Sequence, residues 1–417
     1  MGRRQHIGVL LLSVVAAAFA TTMALAGAPP STRPSIAWRT SPFLPSGPHA
    51  DRQIEILERK IGQMLMIGFI GTAPGDPGAR RTTEMIASGR LGGVILFGDN
   101  VQNPRQLKAL TASFVDAAGS RPPLIAVDQE GGSIQRLSRR KGFQPLPSAR
   151  TMARKPLCEA ETLYHRTATE LAAMGINLNF GPVVDLDVNP RNPAIGQKAR
   201  SYDRDASRVL AYADAFIAAH AAAGVLTAAK HFPGHGSAVR DPHIAIVDIA
   251  DVWQADELEP FAVLAADGGL PMVMVGHLIH PRFSDGDRPT SLSRRAITEV
   301  LREALDFDGL VVTDDLGMDA ITRRYRPEDA AEMAIRAGAD LLIFAHAESG
   351  RPGTTERIIA SVAAAVAAGR LPERLIDEAN RRLGDARTAL GQPVAQGHDP
   401  PACSEATGVG AAPADRS

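Results

Sequence analysis

Short, unbroken apolar runs recur through the middle of the chain, at 64–69, 93–97, 124–128, 178–185, 225–230, 272–277, 310–314 and 340–345. None alternates apolar with polar, so each predicts a strand buried on both faces, the habit of parallel sheets. Between them the spacing changes to the helical period at 107–118, 160–174, 206–223, 296–305 and 327–337. The last of these closes with Gly338 directly before a strand. Eight strand–helix units in succession predict an α/β fold, a single (β/α)8 TIM-type barrel. An open, doubly wound sheet shares this periodicity, which does not report closure. No G-x-G-x-x-G sequence opens any of the helices, which counts against that alternative.

The barrel pattern fills residues 51–391. Ahead of it, Arg3 and Arg4 precede an apolar stretch from Ile7 to Ala20, and Ala24-Leu25-Ala26 offers a small-x-small cleavage site. Residues 1–26 therefore read as a signal peptide, and the expected location is exported, periplasmic. The apolar core is shorter than the ~20 residues of a membrane span. An uncleaved inner-membrane anchor is the alternative, and membrane contact is expected only in that case. Residues 27–50 hold six prolines and predict an extended linker. Residues 392–417, rich in Pro, Gly, Ala and Ser without apolar periodicity, predict a disordered tail.

Composition narrows the chemistry. Of 417 residues, 45% are hydrophobic and 22% charged, ordinary values for a folded protein. Lys+Arg number 45 against Asp+Glu 46, a net charge of -1, so no basic excess is available for a phosphate backbone and no nucleic-acid partner is expected. Cleavage after Ala26 would remove two arginines and no acid, leaving -3. Two cysteines, Cys158 and Cys403, cannot frame a disulfide-rich fold or a cysteine zinc site. After export they form one disulfide or stay as two thiols. Histidines and carboxylates are left to carry the chemistry.

A barrel places its chemistry at the C-terminal ends of its strands. Asp128 and Glu130 follow the third run, Asp185 and Asp187 the fourth, and Lys230 and His231 the fifth. His277 ends the sixth, Asp314 and Asp315 the seventh, and His346 follows the eighth. Residues 230–243 hold three histidines, a lysine and an aspartate on a Gly/Pro loop of the kind that closes over substrate. A zinc site of His231, His235 and His243 is one reading, although H-x3-H-x7-H is not a standard zinc spacing. Another pairs Asp241 with His243: a carboxylate two residues away accepts the imidazole N–H and favours a proton carrier near neutral pH. A solvated loop with incidental histidines is the third. Taken alone, Asp314 is a strand-end carboxylate or a helix N-cap, with Asp315 the better cap of the two. Arg136 and Arg200 read as surface or structural arginines, and Lys230 and His231 as members of a buried ion pair.

Five pieces in order resemble glycoside hydrolase family 3, and within it the bacterial β-N-acetylglucosaminidases (β-hexosaminidases) of the cell-wall-recycling type. They are Val127-Asp128-Gln129-Glu130-Gly131-Gly132 with Arg136, Ala199-Arg200-Ser201-Tyr202, Lys230-His231-Phe232-Pro233-Gly234-His235-Gly236, Asp241-x-His243, and Thr313-Asp314-Asp315-Leu316-Gly317-Met318. The resemblance spans about residues 55–385. It implies a retaining, exo-acting enzyme that releases non-reducing terminal N-acetylglucosamine from muropeptide or chitin-derived oligosaccharides. Asp314 matches the nucleophile and His243 the general acid/base, with Asp241 as its partner. Asp128, Arg136, Arg200, Lys230 and His231 match groups that hold the sugar hydroxyls and acetamido group. The implied partner is a small carbohydrate, with no cofactor and no metal.

The residue types suit that chemistry, because a retaining glycosidase needs an ionised carboxylate to capture the sugar and one group that is first acid, then base. Pro242 stands where the family commonly has Ser, and proline fixes its own φ and biases Asp241 away from the α region. The export signal is a second departure, since recycling members are typically cytoplasmic. Aromatics are 5%, with Trp38 in the linker and Trp253 in a predicted helix, which favours a pocket for one terminal sugar over a long stacking cleft. Two other functions fit the same residues: a phosphorylase, in which phosphate resolves the intermediate, and a non-catalytic cell-wall sugar-binding protein.

Overall fold

The structure, a computed structural model, describes residues 48–241, 246–346, 348 and 352–390. The expected signal peptide, nearly all of the linker, the tail, Cys403 and His243 lie outside the described residues. Eight strands form the centre: β1 (Leu65–Ile67), β2 (Gly93–Leu96), β3 (Leu124–Val127), β4 (Leu178–Asn179), β5 (Leu226–Phe232), β6 (Met272–Val275), β7 (Leu310–Thr313) and β8 (Leu342–Phe344). Each falls inside or overlaps one of the eight apolar runs. They pair in parallel in the order β7-β6-β5-β4-β3-β2-β1-β8. At the remaining seam Val312 bridges Leu341, and the Thr313 N–H donates to the Leu341 carbonyl at 3.0 Å. The sheet is therefore a nearly closed barrel, and the open doubly wound alternative is set aside.

Helices α1 (Pro48–Gln63), α2 (Pro77–Ala87), α3 (Pro104–Ala118), α4 (Leu157–Ala173) and α5 (Ala206–Ala222) come before β5. After it come α6 (Glu259–Ala266), α7 (Arg295–Ala304, wound as a π-helix), α8 (Pro327–Ala337), α9 (Thr354–Ala367) and α10 (Glu373–Leu390). Their starts are encoded locally. Pro104 occupies the first turn of α3 behind Asn103, whose side chain accepts from the Gln106 N–H at 3.0 Å. Asp205 caps α5 through the Ser207 and Arg208 N–H groups. One continuous apolar core runs from Ile61 in α1 through every strand to Leu383 in α10. Among the described residues no helix is long and apolar enough to cross a membrane.

Two expectations need correction. The fourth strand, expected over 178–185, ends at Asn179, because Pro182 has no N–H to donate to the ladder. The chain rejoins the barrel at once: Val183 bridges Lys230, and the Val184 N–H donates to the Lys230 carbonyl at 2.9 Å. Asp185 thus still emerges at the barrel mouth. Trp253 lies in the turn ahead of α6 rather than in a helix. Its indole N–H donates to the Pro233 carbonyl at 3.1 Å and its ring packs edge-on against Phe283.

Candidate active site

Charged side chains from the ends of β3, β4 and β5 converge at the mouth. Lys230, 2% exposed, places its ammonium 2.7 Å from Asp128 Oδ1 and 2.6 Å from Glu130 Oε1. Arg200 makes a fork on Glu130, Nε to Oε2 at 2.7 Å and Nη2 to Oε1 at 2.8 Å. Arg136 closes the other side of Asp128 at 3.2 Å and lies 5.6 Å over the Phe97 ring, which stacks on His346. Burial pushes the Asp128 carboxyl up, but Lys230 and Arg136 outweigh it and hold it below its ordinary value. Burial also opposes ionisation of Glu130, and Arg200 and Lys230 bring it well below the usual carboxylate range. The desolvation cost of Arg200 is likewise overcome, chiefly by Glu130, so its charge is reinforced.

The backbone is shaped to bring these groups together. Gly131 (φ 106°) turns the chain from Gln129–Gly131 back into Ile134–Gln135, and a Cβ there would sit 2.1 Å from the Pro147 carbonyl oxygen. That hairpin returns Arg136 to the side of Asp128. Ala199 takes a left-handed φ of 55°, uncommon without glycine, at the turn that delivers Arg200. His231 is aimed by Asp185: Nδ1 lies 2.7 Å from Oδ2, and the N–H groups of His231 and His235 donate to Oδ1 at 3.1 and 2.8 Å. The His231 Nε2 then faces Arg200 Nη2 at 3.3 Å.

Asp314 leaves the end of β7, its N–H donating to the Val275 carbonyl at 2.9 Å and its Oδ1 accepting from the Asp315 N–H at 2.8 Å. Burial opposes its charge, yet His277, His231 and Lys230 together lower its pKa to about 2. It is therefore an ionised carboxylate facing the cationic side of the mouth. It caps no helix: the next helical turn begins at Asp319. Asp315 is not a helix cap either, since its Oδ1 accepts from the Gly317 and Ala345 N–H groups and so ties β7 to the end of β8. A cavity of about 10 Å³ lined by Glu130, Arg200 and Tyr202 is far too small for a sugar.

Asp241 lies on the loop after β5, with Lys198 Nζ 3.9 Å from its Oδ2. His243, its expected partner, is outside the described residues. The loop is held at both stems. Ser237 donates its N–H to buried Glu257 at 3.0 Å, and Val247–Asp248 pairs in parallel with Leu278–Ile279. Among the described residues no group of His, Cys, Asp and Glu is arranged to hold a metal ion.

Residues 56–386 match the glycosyl hydrolase family 3 N terminal domain. The chain belongs to glycosyl hydrolase family 3. This family 3 glycoside hydrolase is 39% identical over 264 residues to a β-hexosaminidase of Pseudomonas aeruginosa, covering 62% of this chain and 76% of that one. It is 32% identical over 366 residues to β-hexosaminidase A of Pseudoalteromonas piscicida, 80% of this chain and 61% of the other. Among solved structures, a family 3 β-N-acetylglucosaminidase from Paenibacillus sp. str. FPU-7 superposes with a TM-score of 0.73 at 32% identity, over 84% of this chain and 66% of that one. A β-N-acetylhexosaminidase from Beutenbergia cavernae gives 0.70 at 33%, over 80% and 98%.

In the family 3 hydrolase, Asp128, Arg136, Arg200, Lys230 and His231, singled out from sequence, form one connected cluster, and Asp314 stands within its field. Three further groups were not singled out. Glu130 was visible as a strand-end acid within the Val127–Gly132 motif and Asp185 as a strand-end acid alone, with no sequence signal for the side chains they bond. His277 was seen only as a possible pocket wall. Its Nδ1 lies 2.7 Å from Ser291 Oγ and its Nε2 2.9 Å from the Asp315 carbonyl oxygen, directly behind Asp314.

Proposed function

We propose that this glycoside hydrolase is a retaining, exo-acting β-N-acetylglucosaminidase. It removes one terminal N-acetylglucosamine from the non-reducing end of muropeptide or chitin-derived oligosaccharides. The observation that carries the reading is the ionised Asp314 carboxylate at the end of β7, beside the buried Asp128–Lys230–Glu130–Arg200 network. The β-hexosaminidase and β-N-acetylglucosaminidase names of its relatives support the choice of sugar.

In this mechanism Asp314 attacks the anomeric carbon while the bond to the leaving oxygen breaks and His243 gives that oxygen its proton. The product is a covalent glycosyl ester on Asp314. His243 then takes a proton from water as the water attacks the same carbon, which frees the sugar and restores the carboxylate. Asp241 accepts the imidazole N–H. Asp128, Arg136, Arg200, Lys230 and His231 hold the hydroxyls and the acetamido group of that one sugar. The role of His243 rests on the Asp-x-His spacing and the place of Asp241 on the loop. The protein acts after export, in the periplasm: the N-terminal sequence pattern supports this.

The test is hydrolysis of 4-nitrophenyl β-N-acetylglucosaminide by the chain from Gly27, beside Asp314→Ala and His243→Ala, with and without phosphate and with EDTA. Release by the wild type should resist EDTA and fall at least about 10⁴-fold in Asp314→Ala. His243→Ala should lose about 10²-fold, because this aryl group leaves with little protonation. Phosphate-dependent formation of sugar 1-phosphate would replace hydrolysis by phosphorolysis. A folded wild type that binds N-acetylglucosamine without turnover would be a binding protein.

A further inference from the structure

We infer that Glu130 is a positioning residue of this active site, the counter-charge that fixes the Arg200 guanidinium and the Lys230 ammonium for the sugar. The inference rests on the reading of Arg200 and Lys230 as sugar-binding groups. Both are buried cations, with side chains 9% and 2% exposed, and the sugar they would hold is neutral. Buried cations that meet a neutral ligand need their anions from the protein itself, in the free enzyme as well as the complex.

The geometry gives that task to Glu130. Its Oε1 receives both Lys230 at 2.6 Å and Arg200 Nη2 at 2.8 Å, while Oε2 receives Arg200 Nε at 2.7 Å. Lys230 has Asp128 as a second carboxylate, at 2.7 Å. Among the described residues Arg200 has no other carboxylate in hydrogen-bond contact, only the Ala194 carbonyl at 3.1 Å and His231 Nε2 at 3.3 Å. Arg200 is therefore the more dependent of the two. A two-point fork also sets the plane of the guanidinium, which a single charge cannot do.

Glu130 is itself held still. The Gln129 N–H donates to Asn179 Oδ1 at 2.9 Å, and Asn179 Nδ2 returns a bond to the Gln129 carbonyl at 3.1 Å. On the other side Gly131 is pressed against the Pro147 carbonyl. The carboxylate thus projects from a backbone pinned on both sides, as preorganisation requires.

A double-mutant cycle of Glu130→Gln, Arg200→Lys and both together tests this. The readouts are kcat and KM on the aryl N-acetylglucosaminide, the inhibition constant of N-acetylglucosamine, and the thermal midpoint. Glu130→Gln should lower kcat/KM by about 10- to 100-fold, the worth of bonds to charged groups. Most of the change should lie in KM and be matched in the inhibition constant. The double variant should fall within about threefold of the worse single variant, because both substitutions break one fork. Losses that multiply, or a Glu130→Gln enzyme within threefold of wild type, would overturn the assignment. Should Glu130→Gln fail to fold, Glu130→Asp keeps the charge but is too short to span the fork, and the same cycle is read with it. An inactive wild type defeats the hydrolase reading, whereas an active wild type with multiplying losses defeats only the role of Glu130.

Discussion

Asp314 and Asp315 are neighbours in sequence whose surroundings drive their carboxyls apart. Imidazoles and an ammonium face Asp314 and lower it to about 2, while burial raises Asp315, with the charge of Asp314 adding to the effect. The pair shows how little a D-D motif says until its environment is known. The buried histidines permit a sharper statement. His220 is lowered from 6.5 to about 4, by burial working against its bond to the Phe216 carbonyl. A folded pKa below the unfolded one means that the unfolded chain binds the extra proton first. Stability is then lost as pH falls from about 6.5 towards 4 and is fully present above that window. The contribution of His220 is on the order of 2–3 kcal/mol by pH 4.5. His220→Asn should therefore lose less thermal stability than wild type between pH 7 and pH 4.5. Equal losses by calorimetry in both proteins would exclude this role.

The eight strands were legible because unbroken runs such as Leu124–Val127 and Leu310–Thr313 are buried on both faces and have no reason to alternate. Helix α8 was legible to the residue, framed by Pro327 and Gly338. The shortened β4 was not read, although Pro182 stood in the sequence, because apolar pattern outweighed the missing donor. The five clustered groups, Asp128, Arg136, Arg200, Lys230 and His231, were found through motifs. Glu130 and Asp185 escaped because what marks them is a pairing across 70 and 46 positions, which no local pattern encodes. Packing between loops escaped for the same reason. A Cβ on Gly236 would lie 1.8 Å from the Leu186 carbonyl oxygen, so this glycine lets the loop after β5 lie against the one after β4. Gly236→Ala should cost about 1–3 kcal/mol and lower kcat/KM by displacing that loop. Gly75→Ala, with nothing within 4 Å of the added carbon, should stay within about 0.5 kcal/mol. Chemical denaturation of both variants, with kinetics at 25 °C, measures the contrast.

At the scale of the whole molecule, α1 and α10 belong to the same core as the strands, and Lys60 in α1 also reaches Glu373 and Asp377 in α10 at 3.1 and 2.6 Å. These exposed pairs are worth little, whereas the shared core ties both outer helices to the barrel. Urea unfolding followed by circular dichroism and by residual hydrolysis should give one coincident transition. Activity lost well before helicity would mean that the mouth unfolds separately. The doubly anchored loop after β5 has a further consequence. Its stems, Ser237 on Glu257 and Val247–Asp248 on Leu278–Ile279, are fastened to residues outside the Asp128–Lys230–Glu130–Arg200 network. Under the proposed mechanism, an exchange of the residues between these stems would change the proton carrier and leave the bonds of the Asp128–Lys230–Glu130–Arg200 network in place.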